Sequence, residues 1–342
     1  MKLKKRQIFF LLFLIAGTIY VAINNNENSG ERMPKGTRKF SEKIFGTIMN
    51  VTYICHEDLH DTIMTCLQGV DASLSMFNPN STISRINRNE TDTLDEHLLN
   101  ILPMALSISE DTDGAFDISI APLVNAWGFG FKSHSLPTDA QVDSLRALVD
   151  YKSIGIENGL IKKQIPNMII DLSAIAKGYG TDQVANLLTE RGVKDFIVEI
   201  GGEIVCRGNN PKGEAWHVGI STPVEQHSPV TNEVHEIIDI HDRAMATSGN
   251  YRNFYIDENG RKLSHTIDPK TGYPVRHGLL SSTVLAPSCA MADAYATSFM
   301  VMGLDKAKEI VTRNNNLQAY FIYTENDSTG KFQTWNNLEL TQ

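Results

Sequence analysis

Between Phe40 and Gln342 strand-like and helix-like runs follow one another without a regular β-α-β alternation. That order is the strongest limit on the fold. A doubly wound parallel sheet needs a helical crossover between successive strands, whereas strands in runs with inserted helices fit an α+β sheet. No internal repeat and no shift in composition marks a second domain, so one α+β domain is expected over residues 39–342. Residues 40–55 read as a strand pair or a long bent strand broken at Gly46. Residues 58–77, 98–112, 138–149, 291–302 and 306–313 read as helices. Residues 151–156 and 160–165 read as a hairpin around Asn158-Gly159, and 254–256 with 263–267 as another around Asn259-Gly260, because Asn-Gly suits a type I′ turn. Further strands are expected at 195–200, 203–208, 215–220, 237–240, 244–247 and 281–286, and near Tyr320 and Trp335. Residues 223–236 are polar and loop-like.

The densest local signal is Asp171-Leu172-Ser173-Ala174-Ile175-Ala176-Lys177-Gly178-Tyr179-Gly180. An apolar run, Met168-Ile169-Ile170, enters it as a strand, and Val184, Leu187 and Leu188 continue it at helical spacing. A helix start offers free N–H groups and a positive dipole end, which suit phosphate. A plain cap by Asp171 or Ser173, with Lys177 solvated, explains the segment equally well.

At the N-terminus Lys2, Lys4, Lys5 and Arg6 precede an uncharged run over residues 8–23. As a helix that run spans roughly 24 Å, a little short of a ~30 Å hydrocarbon core. A basic flank before an apolar stretch reads as a signal anchor or a secretory signal, with its basic end in the cytoplasm. Residues 1–23 are taken as this segment, uncleaved by preference since no A-x-A site is obvious, and residues 24–38 as a linker. The domain is then expected on the extracytoplasmic, periplasmic side of an inner membrane. A formal net charge of -9 argues against a nucleic-acid partner, which needs a dense basic surface. Cys55, Cys66, Cys206 and Cys289 form no C-x-x-C pair; a disulfide is open in that compartment, with isolated thiols preferred.

Asp293 and Thr297 are four apart on an expected helix, so both face one way. A carboxylate and a hydroxyl there suit a hard cation such as Mg2+; a mutual hydrogen bond in an Ala-rich helix suits the spacing as well. His265, at a strand end, could act as a base or be structural. Asp117 could be a cap, and Phe77 and Phe116 core. The chain has no G-x-x-x-x-G-K-[ST] loop, no H-E-x-x-H and no G-x-S-x-G elbow.

Taken in order, Phe45-Gly46-Thr47, Leu74-Ser75-Met76-Phe77-Asn78-Pro79, Gly114-Ala115-Phe116-Asp117, the 171–178 segment, Glu199-Ile200-Gly201-Gly202, Ala246-Thr247-Ser248-Gly249, His265-Thr266-Ile267-Asp268-Pro269-Lys270-Thr271-Gly272 and Ala292-Asp293-Ala294-Tyr295-Ala296-Thr297 resemble the ApbE family of flavin transferases. The resemblance covers nearly the whole chain after about Phe40. It implies a T-fold-like α+β architecture and an Mg2+-dependent enzyme that moves the FMN half of FAD onto a Ser or Thr hydroxyl of an acceptor flavoprotein, such as subunits of membrane redox complexes, leaving AMP. It implies a metal site from the Ala174 carbonyl, Asp293 and Thr297, and FAD contacts at Phe45, Phe77, Ala115, Phe116, Asp117, Asp171, Lys177 and Ile267. Phe45 and Phe77 depart from the Met and Tyr frequent in the family. A base is needed because a hydroxyl is a poor nucleophile near neutral pH, and His265 is the candidate. A pyrophosphatase giving FMN and AMP, or a non-catalytic flavin-binding protein, are the alternatives.

Overall fold

A computed structural model describes residues 34–130, 136–223, 234–250, 254–256, 262–324 and 332–338. In chain order its elements are β1 (Thr37–Ile44), β2 (Thr47–Ile54), α1 (His60–Leu74), α2 (Thr82–Asn87), α3 (Glu96–Asp111), α4 (Ala121–Ala126), α5 (Asp139–Arg146), β3 (Ile154–Glu157), β4 (Leu160–Lys163), α6 (Ala176–Glu190), β5 (Phe196–Ile200), β6 (Glu203–Arg207), β7 (Trp216–Ser221), β8 (Val234–Ile240), β9 (Ala244–Gly249), β10 (Phe254–Ile256), β11 (Lys262–Ser264), β12 (Leu279–Ala286), α7 (Cys289–Met302), α8 (Leu304–Arg313), β13 (Gln318–Tyr323) and β14 (Gln333–Asn336). Eight strands make one sheet in the order β1-β2-β5-β6-β9-β12-β13-β14, and every neighbouring pair is antiparallel. The α+β expectation is met.

Strand alternation divides the core. Phe196, Val198 and Ile200 of β5 face the helices, packing with Met49 and Val51 of β2 against Leu67 of α1 and Val184 and Leu188 of α6. Ile197 of the same strand faces the other way. There it joins Ile204, Met245, Leu285 and Tyr320 under the β7–β8 hairpin, which contributes Trp216, Val218, Ile220, Ile238 and Ile240. With both faces covered, these strands are apolar on both sides. Helix α7 lies between the sheet and α6, α3 and α8. It is buried almost all round, with small residues at Ala290, Ala292, Ala294 and Ala296, which is what a helix without a polar face requires.

The two glycines of the 171–180 segment have separate steric causes. At Gly178 a Cβ would stand 2.3 Å from the Cys289 carbonyl oxygen, so α6 and α7 cross backbone to backbone. At Gly180 a Cβ would stand 2.7 Å from Cε2 of Phe45, so the ring takes the space that a side chain would fill.

One local expectation is resolved and two change. Residues 40–55 are a strand pair, not one bent strand, joined through Phe45 (φ +49°) and Gly46 (φ +73°). Met168-Ile169-Ile170 is not a strand: the Ile170 N–H donates to Asn87 Oδ1 and its carbonyl accepts from Asn87 Nδ2, both at 2.8 Å, so a side-chain amide replaces a neighbouring strand. Val234, Glu236 and the residue between them lie in β8. The expected anchor at 1–23, most of the linker and the Asn259-Gly260 turn lie outside the described residues. Among the described residues, no helix is long and apolar enough to cross a membrane. All four cysteines are free thiols.

Candidate active site

One cavity of about 430 Å³ opens where α6, α7, the β5–β6 turn, the end of β9, residues 115–124 and residues 265–269 meet. Of the candidate residues, Ala115, Phe116, Asp117, Asp171, Ala174, Lys177, His265, Ile267, Asp293 and Thr297 all line it. Phe45 and Phe77 do not. Phe45 is the wedge against Gly180 described above. Phe77 is 76% exposed in the loop between α1 and α2.

The cavity lining holds an ammonium beside two buried carboxylates. Lys177 Nζ stands 3.0 Å from Glu203 Oε1 and 3.6 Å from Asp293 Oδ2. Burial would lower the lysine's pKa, but Asp293 and Glu203 more than offset it and hold the group above its ordinary value. Burial raises the Glu203 pKa above its ordinary value; the adjacent Lys177 ammonium opposes the rise and Asp293 adds to it. The solvated-lysine alternative therefore does not describe Lys177.

Nor do Asp293 and Thr297 bond to each other in any described interaction. Asp293 Oδ2 accepts from the Gly178 N–H at 3.1 Å, and Thr297 Oγ1 meets Ser248 Oγ of β9 at 3.2 Å. Because the Gly178 N–H turns to Asp293, no described hydrogen bond ends on the Ala174 carbonyl or on Asp293 Oδ1. A carbonyl, a carboxylate oxygen and a hydroxyl left toward one cavity are a hard-oxygen donor set, and they fit Mg2+ better than a softer ion. Among the described residues no group of three or more His, Cys, Asp or Glu is placed to hold a metal ion.

The other wall is held by capping and apolar packing. Asp117 Oδ1 accepts from the Ser119 N–H (2.8 Å) and hydroxyl (2.6 Å), and Oδ2 from the Tyr151 N–H (3.1 Å). It is a cap, although of a turn and not of a helix. Burial raises its pKa, opposed by these donors. Asp171 Oδ1 accepts from the Ser173 N–H, closing the turn before α6; the cap residue of α6 itself is Ile175, which makes no side-chain bond. His265 lies edge-on to Phe129, with ring centroids 6.3 Å apart. Asp268 accepts from the Lys270 N–H within its turn, and Trp127 Nε1 donates to the Gly272 carbonyl at 2.7 Å. Leu123, Trp127, Val142, Leu263 and Ile267 form the small core behind this wall.

Sequence reasoning missed Glu203 and Asp182. Glu203 follows the turn Gly201 (φ +61°) and Gly202 (φ +102°), whose amide is held by Glu199 Oε1 at 2.9 Å. Its signal was an acid opening the short strand Glu203-Ile204-Val205-Cys206-Arg207. Asp182 accepts from the Cys289 and Ala290 N–H groups at 2.7 and 2.8 Å, and so caps α7 from α6. Desolvation there lifts it to about 6. Nothing in its local spacing points to a helix more than a hundred residues away.

The sequence model of the ApbE family matches residues 45–321. An FAD:protein FMN transferase of Escherichia coli (strain K12) is 37% identical over 287 residues, 81% of this chain and 79% of the relative. One from Haemophilus influenzae is 36% identical over 332 residues, 92% and 94% of the two chains. The solved structure of the flavin transferase ApbE from Vibrio cholerae superposes with a TM-score of 0.78 at 33% identity, covering 88% of this chain and 96% of that one. The apo form of the Pseudomonas stutzeri flavinyl transferase ApbE gives 0.77 at 28% identity, with coverage of 88% and 94%.

Proposed function

The chain belongs to the ApbE family, and from that premise we propose that it is an Mg2+-dependent FAD:protein FMN transferase, anchored at the membrane by its N-terminal segment and acting on the extracytoplasmic side. Its substrates are FAD and a Ser or Thr hydroxyl of an acceptor flavoprotein. The observation that carries this reading is the convergence of Lys177, the undonated Ala174 carbonyl, Asp293 and Thr297 in one cavity. Bound there, Mg2+ would neutralise pyrophosphate oxygens and stabilise the departing AMP phosphate.

The chain's own groups supply the rest. Lys177 is a fixed positive charge beside the phosphates. Ala115, Phe116 and Ile267 offer an apolar wall for the flavin nucleotide, with Asp171 at its edge. The acceptor oxygen attacks the FMN-side phosphorus, the bond to the AMP oxygen breaks in line, and the hydroxyl proton passes to the His265 ring. Ser248 holds the Thr297 hydroxyl and Gly178 the Asp293 carboxylate, so both are placed before substrate arrives.

The test incubates the protein with FAD, Mg2+ and a candidate acceptor, then follows acceptor mass and free AMP. A covalent gain of one FMN with AMP release supports transfer. AMP and FMN without labelling would make the protein a pyrophosphatase, and intact FAD would make it a binder. Asp293→Ala abolishes turnover; full activity of that variant under chelator overturns the metal assignment. His265→Ala lowers the transfer rate, and an unchanged rate removes His265 as the base.

A further inference from the structure

Glu203 has no part in the reading above, yet its placement is unusual. The side chain is 4% exposed, and it reaches the cavity from the first residue of β6, directly after the Gly-Gly turn. One oxygen meets Lys177 at hydrogen-bond distance. The other, Oε2, is buried and has no hydrogen-bond partner. A half-satisfied buried carboxylate costs stability, so the ion pair with Lys177 is its main compensation.

That pair sets where the ammonium sits. Lys177 Nζ is within bonding distance of Glu203 but 3.6 Å from Asp293 Oδ2, beyond a normal hydrogen bond. An ammonium and a divalent cation compete for the same carboxylate, since each wants its lone pairs. With Glu203 absent, the flexible lysine stem brings the ammonium onto Asp293, the nearest remaining anion. We propose that Glu203 is a positioning residue: it draws Lys177 off Asp293 and thereby keeps that carboxylate open to a divalent cation. This rests on the assignment of Asp293 to the cation site.

The rival explanation is that Glu203 only adds negative charge to the cavity. The two part company when Lys177 is removed. A charge effect persists without the lysine; a positioning effect needs it.

The experiment measures Mg2+ affinity of the full chain by calorimetry, with and without FAD, for the wild type, E203Q, K177M, the double variant and D293A. E203Q is expected to weaken Mg2+ about tenfold or more, the scale for groups that orient a metal ligand. On the K177M background the same change is expected to cost under about threefold. Equal losses on both backgrounds, or no loss from E203Q, overturn the proposal. Wild type and D293A binding Mg2+ alike overturns the cation-site assignment instead. Thermal melts check folding; if E203Q does not fold, E203D serves, because its carboxylate is one methylene short of the ammonium. E203D is expected to weaken Mg2+ measurably, and wild-type affinity in E203D overturns the proposal.

Discussion

Gly178→Ala tests whether the α6–α7 crossing sets the site. A Cβ at this position would lie 2.3 Å from the Cys289 carbonyl oxygen, 2.6 Å from its carbon and 2.8 Å from the Ala290 nitrogen. Ordinary contact between heavy atoms begins near ~3.5 Å, so the helices must part by about 1 Å. All three opposing atoms are backbone, and no rotamer change relieves them. Overpacking of this kind costs ~1–3 kcal/mol, against ~1 kcal/mol gained from alanine's helix propensity. The net expectation is a loss of up to about 2 kcal/mol in urea unfolding. The functional loss is larger, because the Gly178 N–H holds Asp293 Oδ2. A displacement of about 1 Å at a reacting centre can cost ~10²-fold in rate, read here as AMP release. Gly69→Ala in α1 is the control: its Cβ would meet only His97 Nε2, at 3.4 Å, and the variant is expected to be more stable by up to ~1 kcal/mol. A Gly178→Ala protein with wild-type stability and rate would refute the claim that this contact places Asp293.

Asp182 sits at about 6 in the folded chain, above the ~4 of an unfolded aspartate. The fold therefore binds that proton more tightly, and this group's contribution to stability falls as pH rises from about 4 to about 6, by on the order of 2–3 kcal/mol. Asp182→Asn removes that slope, so its unfolding free energy gains on the wild type over that window; parallel curves would rule the shift out. Trp127→Phe deletes the donor to the Gly272 carbonyl. It should cost ~1–3 kcal/mol and speed amide exchange over residues 272–275, and unchanged exchange would mean the indole does not hold that turn. Phe77→Ala changes an exposed ring outside the cavity, so stability should stay within ~0.5 kcal/mol and KM for FAD should not change; a several-fold rise in KM would bring Phe77 into the FAD site after all.

Much of the sheet was legible because strand and helix periods survive in single segments: α1, α3 and α7 lie within three residues of their expected ends. Met168-Ile169-Ile170 misled because its apolar pattern reports burial, while its hydrogen bonds go to Asn87, which no local pattern names. Lys177 and Asp293 were legible as residue types, through motif order, but not as a pair. Their meeting depends on two helices crossing at Gly178, and a glycine in a sequence does not say what fills the space it leaves. Glu203 and Asp182 were passed over for the same reason. Each acts on a group far away in the chain, and neither sits in a pattern that marks a ligand.

The balance of charge in the cavity argues for order of assembly. Asp117, Asp171, Glu203 and Asp293 line it against a single lysine, and that lysine is already paired. A pyrophosphate entering such a lining meets net negative potential, and at the shorter distances inside a cleft that repulsion is weakly screened. Lys177 alone cannot reverse it, since Asp293 beside it already matches its charge. A divalent cation would reverse it, and the donor set on Ala174, Asp293 and Thr297 faces the same space. FAD affinity should therefore rise with Mg2+ concentration. By linkage Mg2+ affinity should rise by the same factor when FAD is present. Two ligands that bind independently would leave both affinities unchanged and would separate the cation site from the nucleotide.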